Sequence, residues 1–505
     1  MSKSIISYAL ERLRIGIIMS FRFLLGIPLL AIAVLALSCS KNEPSQEEEL
    51  KPAPSVGPAS HVAGMWAAEP GGGLSIGSSI TIDPGTDPDI DAWQIGISGS
   101  EASCVPLVTG DGWLLGNCRN LPYGAWGVSI SVPRVKGESV RLRMLSGANW
   151  VDGLLNHIES PPSAPESSGV ELVWHAPPTP NCGSNHGIWA DDGLVFAPCS
   201  GGMIMIHDAP TGRLVGTARP PAGSSTNVLE VTYRNGLLYA ATTSEGLLTF
   251  DVTTPSQPRL VGQFKVPGVA GSPERLVNIH NLTLSGDGRQ VYLINQSHPT
   301  SDMRIVDVSD PAHPTEMGRY TPGTTSLIQG VHDVYLTVRD GRTYAYVNRL
   351  RMGLEIFDVT EPGSPTLVGS FMPGTASHSG WFFEANGQHY FAHTDEGFNQ
   401  GLTVLNVEDV TKPEVVSVYR KRPGISIHNI RVVDGIAYIA YYVDGLVVLD
   451  LRNPEKIIEL AHYDTIPNED ERTLFSGAWG VHVDDGTIFI SDMDSGIYAL
   501  QLTEP

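Results

Sequence analysis

The sequence predicts an all-β protein in which a seven-bladed β-propeller follows a small β-sandwich-like domain. Two observations predict the propeller: the chain repeats itself from about residue 169 onward, and each repeat holds four short apolar segments separated by turn residues. A third observation predicts the smaller domain, because short apolar stretches between residues 61 and 160 are separated by glycine, proline and aspartate.

The first element in chain order is an export signal, predicted over residues 1–38. The segment "MSFRFLLGIPLLAIAVLALSC" runs from Met19 to Cys39 and resembles the lipobox region of bacterial lipoproteins. This resemblance implies translation from Met19 and a mature chain that begins at a lipidated Cys39. Because Ser40 does not give the aspartate retention signal of the inner membrane, the outer membrane of the cell envelope is the expected location. A plain transmembrane anchor is the alternative, although the apolar run is short for a full span.

Residues 39–60 follow as a predicted disordered tether, since they are charged, proline-rich and nearly free of aromatic residues. Residues 61–160 form the predicted small β-sandwich-like domain, with stretches such as "LSIGSSITI" and "AWGVSISV" as strands. Residues 161–169 form a linker rich in proline and serine. No catalytic constellation is visible in this part of the sequence.

The cysteines agree with export to an oxidising compartment. With Cys39 lipidated, the remaining four form two close pairs, Cys104 with Cys118 and Cys182 with Cys199. Two local disulfides are the simple interpretation. A zinc site is the alternative, but neither pair has the CxxC spacing.

The charge of the chain excludes one class of partner. Aspartate and glutamate outnumber lysine and arginine by 54 to 32, for a formal net charge of −22. Such a surface repels phosphate backbones, and no long basic patch interrupts it. Nucleic acid is therefore not an expected partner.

The repeated units share one pattern: an apolar strand, an Asp or Asn, a proline-containing turn and a second apolar strand. Examples are "GLLTFDVTTPSQPRLVGQF", "MRIVDVSDPAHPTEMGRY", "GLEIFDVTEPGSPTLVGSF", "GLTVLNVEDVTKPEVVSVY" and "GLVVLDLRNPEKIIELAHY". The equivalent acidic or amide positions recur every 44 to 56 residues. These segments resemble the LVIVD repeat over about two-thirds of the chain, from Gly169 to the end, and the resemblance implies a β-propeller.

The residues favour the same fold independently of that resemblance. Four short strands per unit, apolar at nearly consecutive positions, are typical of propeller blades that pack on both faces. Seven units begin near His186, Leu229, His280, His332, His378, His428 and Trp479. The last unit is one strand short, and "VELVWHAP" at 170–177 is expected to complete it and to close the ring over residues 170–505.

Five of the seven units place a histidine at the start of their first strand, the strand that lines a propeller's channel. These histidines are His186, His280, His332, His378 and His428, and they would converge near one mouth of the channel. Converging imidazoles predict a site for a ligand or a divalent transition metal. The alternative is that each histidine bonds backbone groups of the next blade, as a structural latch copied with the repeat.

The loops after the second strands return to the same mouth and carry polar side chains, as functional loops on rigid scaffolds do. The candidates for ligand binding are Arg349, Arg351, His393, Asp395, Tyr442, Asp444 and Asp492.

The sequence therefore favours a lipid-anchored binding module that presents a histidine-lined mouth to a protein, a glycan or a small ligand. A metal-dependent extracytoplasmic lyase, hydrolase or oxygenase is the second hypothesis, because imidazoles on the propeller axis can hold a catalytic metal. A scaffolding role is the third hypothesis, and it predicts neither a tight small ligand nor a bound metal.

Overall fold

The computed structural model describes two parts of the chain. In the N-terminal part it describes the backbone of eight strands between Gly64 and Ile158. In the C-terminal part it describes residues 167–265, 278–296, 301–323, 330–372, 376–397, 400–421, 426–466 and 476–503. The predictions for the leader, the lipidated Cys39, the tether and most of the linker lie outside these ranges. Within them, no helix is both long enough and apolar enough to cross a membrane.

The eight N-terminal strands form one closed antiparallel barrel in chain order, with the first strand paired to the last. They are β1 (Gly64–Ala68), β2 (Ser79–Asp83), β3 (Trp93–Ile97), β4 (Ser100–Gly110), β5 (Trp113–Arg119), β6 (Ala125–Ser131), β7 (Val140–Ser146) and β8 (Asn149–Ile158). The predicted β-sandwich-like arrangement is thus not confirmed, since a single ring of hydrogen bonds joins all eight strands. Alternating apolar strands are common to barrels and sandwiches, so the pattern cannot separate them. Cys104 and Cys118 lie opposite each other in the register of β4 and β5, and their disulfide stays a prediction.

The C-terminal part is all-β and forms the predicted seven-bladed propeller. Blades 1 to 4 consist of β10 (Trp189–Asp191), β11 (Leu194–Pro198), β12 (Ile204–Asp208), β13 (Leu214–Ala218); β14 (Val228–Arg234), β15 (Leu237–Thr242), β16 (Gly246–Asp251), β17 (Arg259–Phe264); β18 (Ile279–Leu284), β19 (Gln290–Asn295), β20 (Asp302–Asp307), β21 (Thr315–Tyr320); and β22 (Asp333–Arg339), β23 (Arg342–Asn348), β24 (Leu354–Asp358), β25 (Thr366–Phe371).

Blades 5 and 6 consist of β26 (Ser377–Ala385), β27 (Gln388–Asp395), β28 (Leu402–Asn406), β29 (Glu414–Tyr419); and β30 (Ile430–Val433), β31 (Ile436–Ala440), β32 (Leu446–Asp450), β33 (Ile458–Tyr463). Blade 7 consists of β34 (Ala478–Asp484), β35 (Thr487–Asp492), β36 (Gly496–Leu502) and, as its outer strand, β9 (Val170–Ala176) from the start of the propeller. The first strands contact one another in a closed cycle and so surround the axis. Joining the first and last strands of the propeller in one sheet closes the ring and completes blade 7.

The hydrophobic core lies between successive blades. One cluster joins Tyr239 and Leu247 of blade 2 to Leu282 and Val306 of blade 3, and comparable clusters join other neighbouring blades. Both faces of each inner strand are therefore buried, which explains why apolar residues follow one another in these strands instead of alternating.

The acidic position of the repeat caps the turn that follows the third strand. In five blades its side-chain oxygen accepts a hydrogen bond from the backbone N–H two residues later, at 2.8 to 3.0 Å. The residues are Asp251, Asp307, Asp358, Asn406 and Asp450. This Asx turn explains why only Asp and Asn occupy the position in these units.

A glycine of the repeat sets the distance between outer strands and the next blade. In the first four blades, a Cβ on this glycine would overlap a backbone carbonyl of the next blade's proline-containing turn. The pairs are Gly216 with Pro255, Gly262 with Pro311, Gly318 with Pro362, and Gly369 with Val410. In blade 5 the equivalent residue is Ser417, whose hydroxyl donates a hydrogen bond to the Pro454 carbonyl. Close approach of backbones thus accounts for the glycine in the repeat.

The disulfide predicted between Cys182 and Cys199 is confirmed, and it closes a segment with a sequence separation of 17. Both cysteines are buried in the core cluster shared by blades 1 and 7. A loop of that length is stabilised by about 3 kcal/mol through its effect on the unfolded chain.

We expect the double variant Cys182→Ala, Cys199→Ala to lose about 3 kcal/mol of unfolding free energy. Urea denaturation measures the change. Reductant should shift the midpoint of the wild-type protein to that of the variant and leave the variant unchanged. An unchanged midpoint in the double variant would contradict a stabilising role.

Candidate metal centre

Seven side chains at the first strands form a ring around the propeller axis, here called the axis ring. They are His186, Leu229, His280, His332, His378, His428 and Trp479. In four blades a register shift in the pairing of the first and second strands leaves out the ring residue, namely Leu229, His280, His378 or Trp479. Such a β-bulge changes the direction of the side chain, which would otherwise point alternately to one or the other face of the sheet like its neighbours.

In the other three blades the ring residue lies just before the first strand and is fixed by its backbone. The N–H groups of His186, His332 and His428 donate to the carbonyls of Pro198, Asn348 and Ala440. The position of all seven residues is therefore set by the main chain of the blade.

The rings at these positions form a nearly continuous chain of contacts. The centroid distances are 4.3 Å for His280 and His332, 4.4 Å for His332 and His378, and 4.2 Å for His378 and His428. Trp479 continues the chain at 4.2 Å from His428 and 5.5 Å from His186. Blade 2 interrupts it with Leu229. The structure thus brings all five predicted histidines to the axis.

Two groups of three side chains in this ring have the spacing of metal ligands. The first group is His280, His332 and Asp333, and the second group is His332, His378 and Glu396. In each group the three potential ligand atoms lie within 4.8 Å of one another. His332 belongs to both groups, which makes it the central residue of the site.

Individual distances fit a common metal ion. Nδ1 of His332 is 3.1 Å from a carboxylate oxygen of Asp333, and Nε2 of His378 is 3.6 Å from one of Glu396. Two ligands bonded to a tetrahedral zinc ion lie about 3.3 Å apart. Each group therefore needs only small adjustments to hold an ion.

Burial keeps most of these imidazoles neutral, the form that binds a metal. It lowers the pKa of His280 to about 3, with the charge of His332 adding to the effect. Burial and the charge of His428 lower the pKa of His378 well below its usual value. Burial also acts to lower the pKa of His332, but the hydrogen bond and charge of Asp333 outweigh it and raise that pKa. For Glu396, burial raises the pKa to about 7.

The two ring nitrogens of His378 have different surroundings. Its Nε2 lies 3.6 Å from Glu396 and is the atom that could bind an ion of the second group. Its Nδ1 is buried and, in the part of the chain that the structure describes, no hydrogen-bond partner reaches it.

Two other histidines of the ring behave as latches. Nδ1 of His186 lies 2.8 Å from the Val228 carbonyl, and Nδ1 of His428 lies 2.6 Å from the Trp479 carbonyl. Each bond joins a blade to its neighbour. The ring therefore contains inter-blade latches at His186 and His428 and potential metal ligands at His280, His332 and His378, of which His332 also bonds to the backbone of His378.

Tyr442 closes one side of the second group. Its hydroxyl donates to Glu396 at 3.3 Å, and its ring meets that of His428 edge-on at 4.9 Å. Its φ of 41° lies in the left-handed region, which is strained for an aromatic residue. Such strain is typical of sites where the surrounding structure fixes a side chain for function.

The remaining predicted ligand-binding residues are held by their own blades. Arg349 pairs with Glu355 at 2.5 Å and also donates to Tyr320. Asp395 and Asp492 accept backbone N–H groups in their turns.

His393, Asp444 and Arg351 complete this set. His393 is buried behind the ring, where Ser377 contacts its Nε2 at 2.8 Å. Asp444 is buried in the turn that follows β31, and Arg351 is half-buried. The roles of these residues and of Arg349, Asp395 and Asp492 in binding stay predictions.

The two carboxylates of the metal groups were not selected from the sequence as ligands. Asp333 directly follows His332, and Glu396 directly follows Asp395 at the end of the second strand of blade 5. The adjacency of His332 and Asp333 was a usable signal. Nothing in the sequence spacing relates Glu396 to His332, because the two residues belong to different blades.

Comparisons with known proteins support the repeat assignment. The family model of the LVIVD repeat matches residues 300–322, 342–373 and 426–465. No curated protein matches the chain. Among solved structures, the computationally designed Ika8 protein is similar at 11% identity and a TM-score of 0.44, over 66% of this chain and 99% of that one. A likeness at that level carries no argument about function. The chain contains LVIVD repeats in its C-terminal part, and that part folds as a seven-bladed β-propeller.

Proposed function

We propose that the propeller is a binding module that holds one divalent transition metal at its axis, and that either the first group or the second group can hold it. The observation that carries the proposal is the sharing of His332 by two sets of two imidazoles and one carboxylate. Imidazole ligands favour zinc, iron, copper or nickel over magnesium and calcium. One ion per chain is expected because both groups compete for His332.

Reconstitution of the chelator-treated protein with zinc, ferrous or manganous ions tests this proposal. Elemental analysis after removal of free metal should find about one ion per chain with at least one of these metals. The protein should carry no polyhistidine tag, because such a tag would itself bind these metals. Less than a tenth of an ion per chain with all three metals would overturn the proposal.

A metal-dependent enzyme is the second candidate function. The favouring observation is the composition of each group, since two histidines and one carboxylate leave open coordination positions in non-haem iron enzymes and zinc hydrolases. A lyase, hydrolase or oxygenase acting outside the cytoplasm would use such a position for substrate or water.

Nitric oxide tests for the open position. It should bind the ferrous protein under anaerobic conditions and give the paramagnetic signal of an iron–nitrosyl centre. Ferrous protein that gives no such signal has a closed coordination shell, which would contradict the enzymatic alternative while leaving metal binding intact.

We further propose that the protein is held at the cell envelope, in the outer membrane, by a lipid on Cys39. The apolar segment before Cys39 and the charged, proline-rich tether after it support this location. The propeller would then present the axis ring to a protein or glycan partner beside the membrane. Cys39→Ala should move the protein from the membrane fraction to the soluble fraction, and unchanged membrane association would contradict lipid anchoring.

A further inference from the structure

A cavity of about 930 Å³ occupies the channel beside the axis ring, and we call it the lower chamber. At one end it reaches residues that directly follow ring positions, among them Glu230, Asn281 and Asn429. At the other end it reaches the turns between first and second strands, where Asp191 and Asp287 lie. Its volume is in the range of small-molecule sites.

The lower chamber contains a guanidinium held between two indole rings. The Arg431 guanidinium carbon lies 4.0 Å from the ring centroid of Trp381 and 4.6 Å from that of Trp189. All three residues line the cavity. Contact with the faces of two indole rings stabilises a cation at this position and leaves the N–H donors of the guanidinium available to other groups.

Those donors have no acceptor. Over the described ranges of the propeller, no carboxylate forms an ion pair with Arg431 and no oxygen accepts a hydrogen bond from it. Arg431 is half-buried, and a charge partly removed from water without a counter-ion is costly, so such a residue normally has a partner. Burial lowers the pKa of Arg431 to about 10, which leaves the side chain charged at neutral pH.

One carboxyl group of the cavity wall interacts with the charge of Arg431 without forming an ion pair. This group is Glu230, and burial raises its pKa to about 8. Burial thus disfavours the charged form that could act as the counter-ion of Arg431.

We propose that the lower chamber binds a small organic monocarboxylate, whose carboxylate pairs with Arg431 and whose apolar body lies against the walls of the channel. A planar carboxylate matches the two parallel N–H groups of a guanidinium. Trp189, Trp381 and Leu282 supply apolar and aromatic surface for the body. The acidic rim at Asp191 and Asp287 disfavours ligands that carry several negative charges.

The chamber lies close to the metal groups but its ligand does not require the metal. The Tyr335 hydroxyl donates to Asp333 at 2.8 Å and contacts the Ser379 hydroxyl at 2.6 Å. The ring of Tyr335 meets that of Trp381 edge-on at 5.7 Å. Tyr335 thus contacts both Asp333 of the first metal group and Trp381 of the chamber, and a chelator allows ligand binding to be tested without the metal.

The test titrates benzoate and hexanoate into the purified protein in the presence of a chelator, with calorimetry as the readout. Benzamide and hexanamide serve as uncharged controls of the same shape, and inorganic phosphate serves as a second anion. We expect at least one carboxylate to bind and its amide to bind at least about tenfold more weakly, because the amide lacks the charge-assisted hydrogen bonds.

Arg431→Gln should weaken carboxylate binding at least about tenfold. Arg431→Lys keeps the charge without the planar fork and should give an intermediate affinity, which preserves the test if the glutamine variant fails to fold. Equal binding of acid and amide, binding of phosphate alone, or no binding by the wild-type protein would each overturn the proposal. In the last case, a lower melting temperature of Arg431→Gln would assign Arg431 to structural packing between the two tryptophans.

Discussion

His332→Ala is expected to abolish metal binding. Replacement of His280 or of His378 alone is expected to leave metal binding intact. His332 belongs to both metal groups, but His280 and His378 each belong to only one. Removal of an outer-shell partner already costs 10- to 100-fold in affinity, so loss of the shared ligand should weaken binding more than about 100-fold. Single changes of His280 or His378 to Ala should retain about one ion per chain, and the double variant should retain none. Elemental analysis of the reconstituted variants measures each outcome.

The matched control is His186→Leu, because the same ring position of blade 2 already holds Leu229. This change removes the hydrogen bond to the Val228 carbonyl and is expected to cost about 1–3 kcal/mol of unfolding free energy. Metal content should not change. A His332→Ala variant that keeps its metal, or a His186→Leu variant that loses it, would contradict the division of the ring into ligands and latches.

Gly262→Ala is expected to destabilise the propeller by about 3 kcal/mol or more, a large effect for one methyl group. The new Cβ would overlap the carbonyl oxygen of Pro311 in the next blade. Backbone atoms lie on both sides of the contact, so relief of the strain requires the two blades to move apart. Urea denaturation followed by circular dichroism measures the loss.

Gly286→Ala provides the control for Gly262→Ala. A Cβ at Gly286 meets no heavy atom within 4 Å, and the residue has no positive φ. Its replacement should change the denaturation midpoint little or should slightly raise it, because alanine reduces the entropy of the unfolded chain. Equal midpoints for the two variants would show that the glycine of the repeat does not limit the approach of the blades.

The propeller could be predicted because the same sequence pattern recurs in unit after unit. Each unit carries the same Asp and turn, and Asp358 and Asp450 make the same hydrogen bond in different blades. The barrel could not be predicted, since alternating strands do not reveal whether the last strand pairs with the first. The role of Gly262 was hidden for a related reason, because the close approach that it allows involves a residue of another blade.

The candidate site could be predicted in position but not in composition. Aligned turns placed His332 and His428 at one level of the channel. Their different roles depend on their hydrogen-bond partners. The partner of His332 is the carboxylate of Asp333, and the partner of His428 is the backbone carbonyl of Trp479. The place of Glu396 in a metal group and the aromatic contacts of Arg431 could not be predicted, because they come from three-dimensional contacts between blades.

Anomalous diffraction from crystals grown with zinc tests the metal site most directly. The proposal predicts one peak on the propeller axis, within bonding distance of His332 and of either His280 with Asp333 or His378 with Glu396. A map without a peak at these residues, from protein that binds neither zinc nor ferrous nor manganous ions in solution, would contradict it. The histidines of the axis ring would then serve only to join the blades.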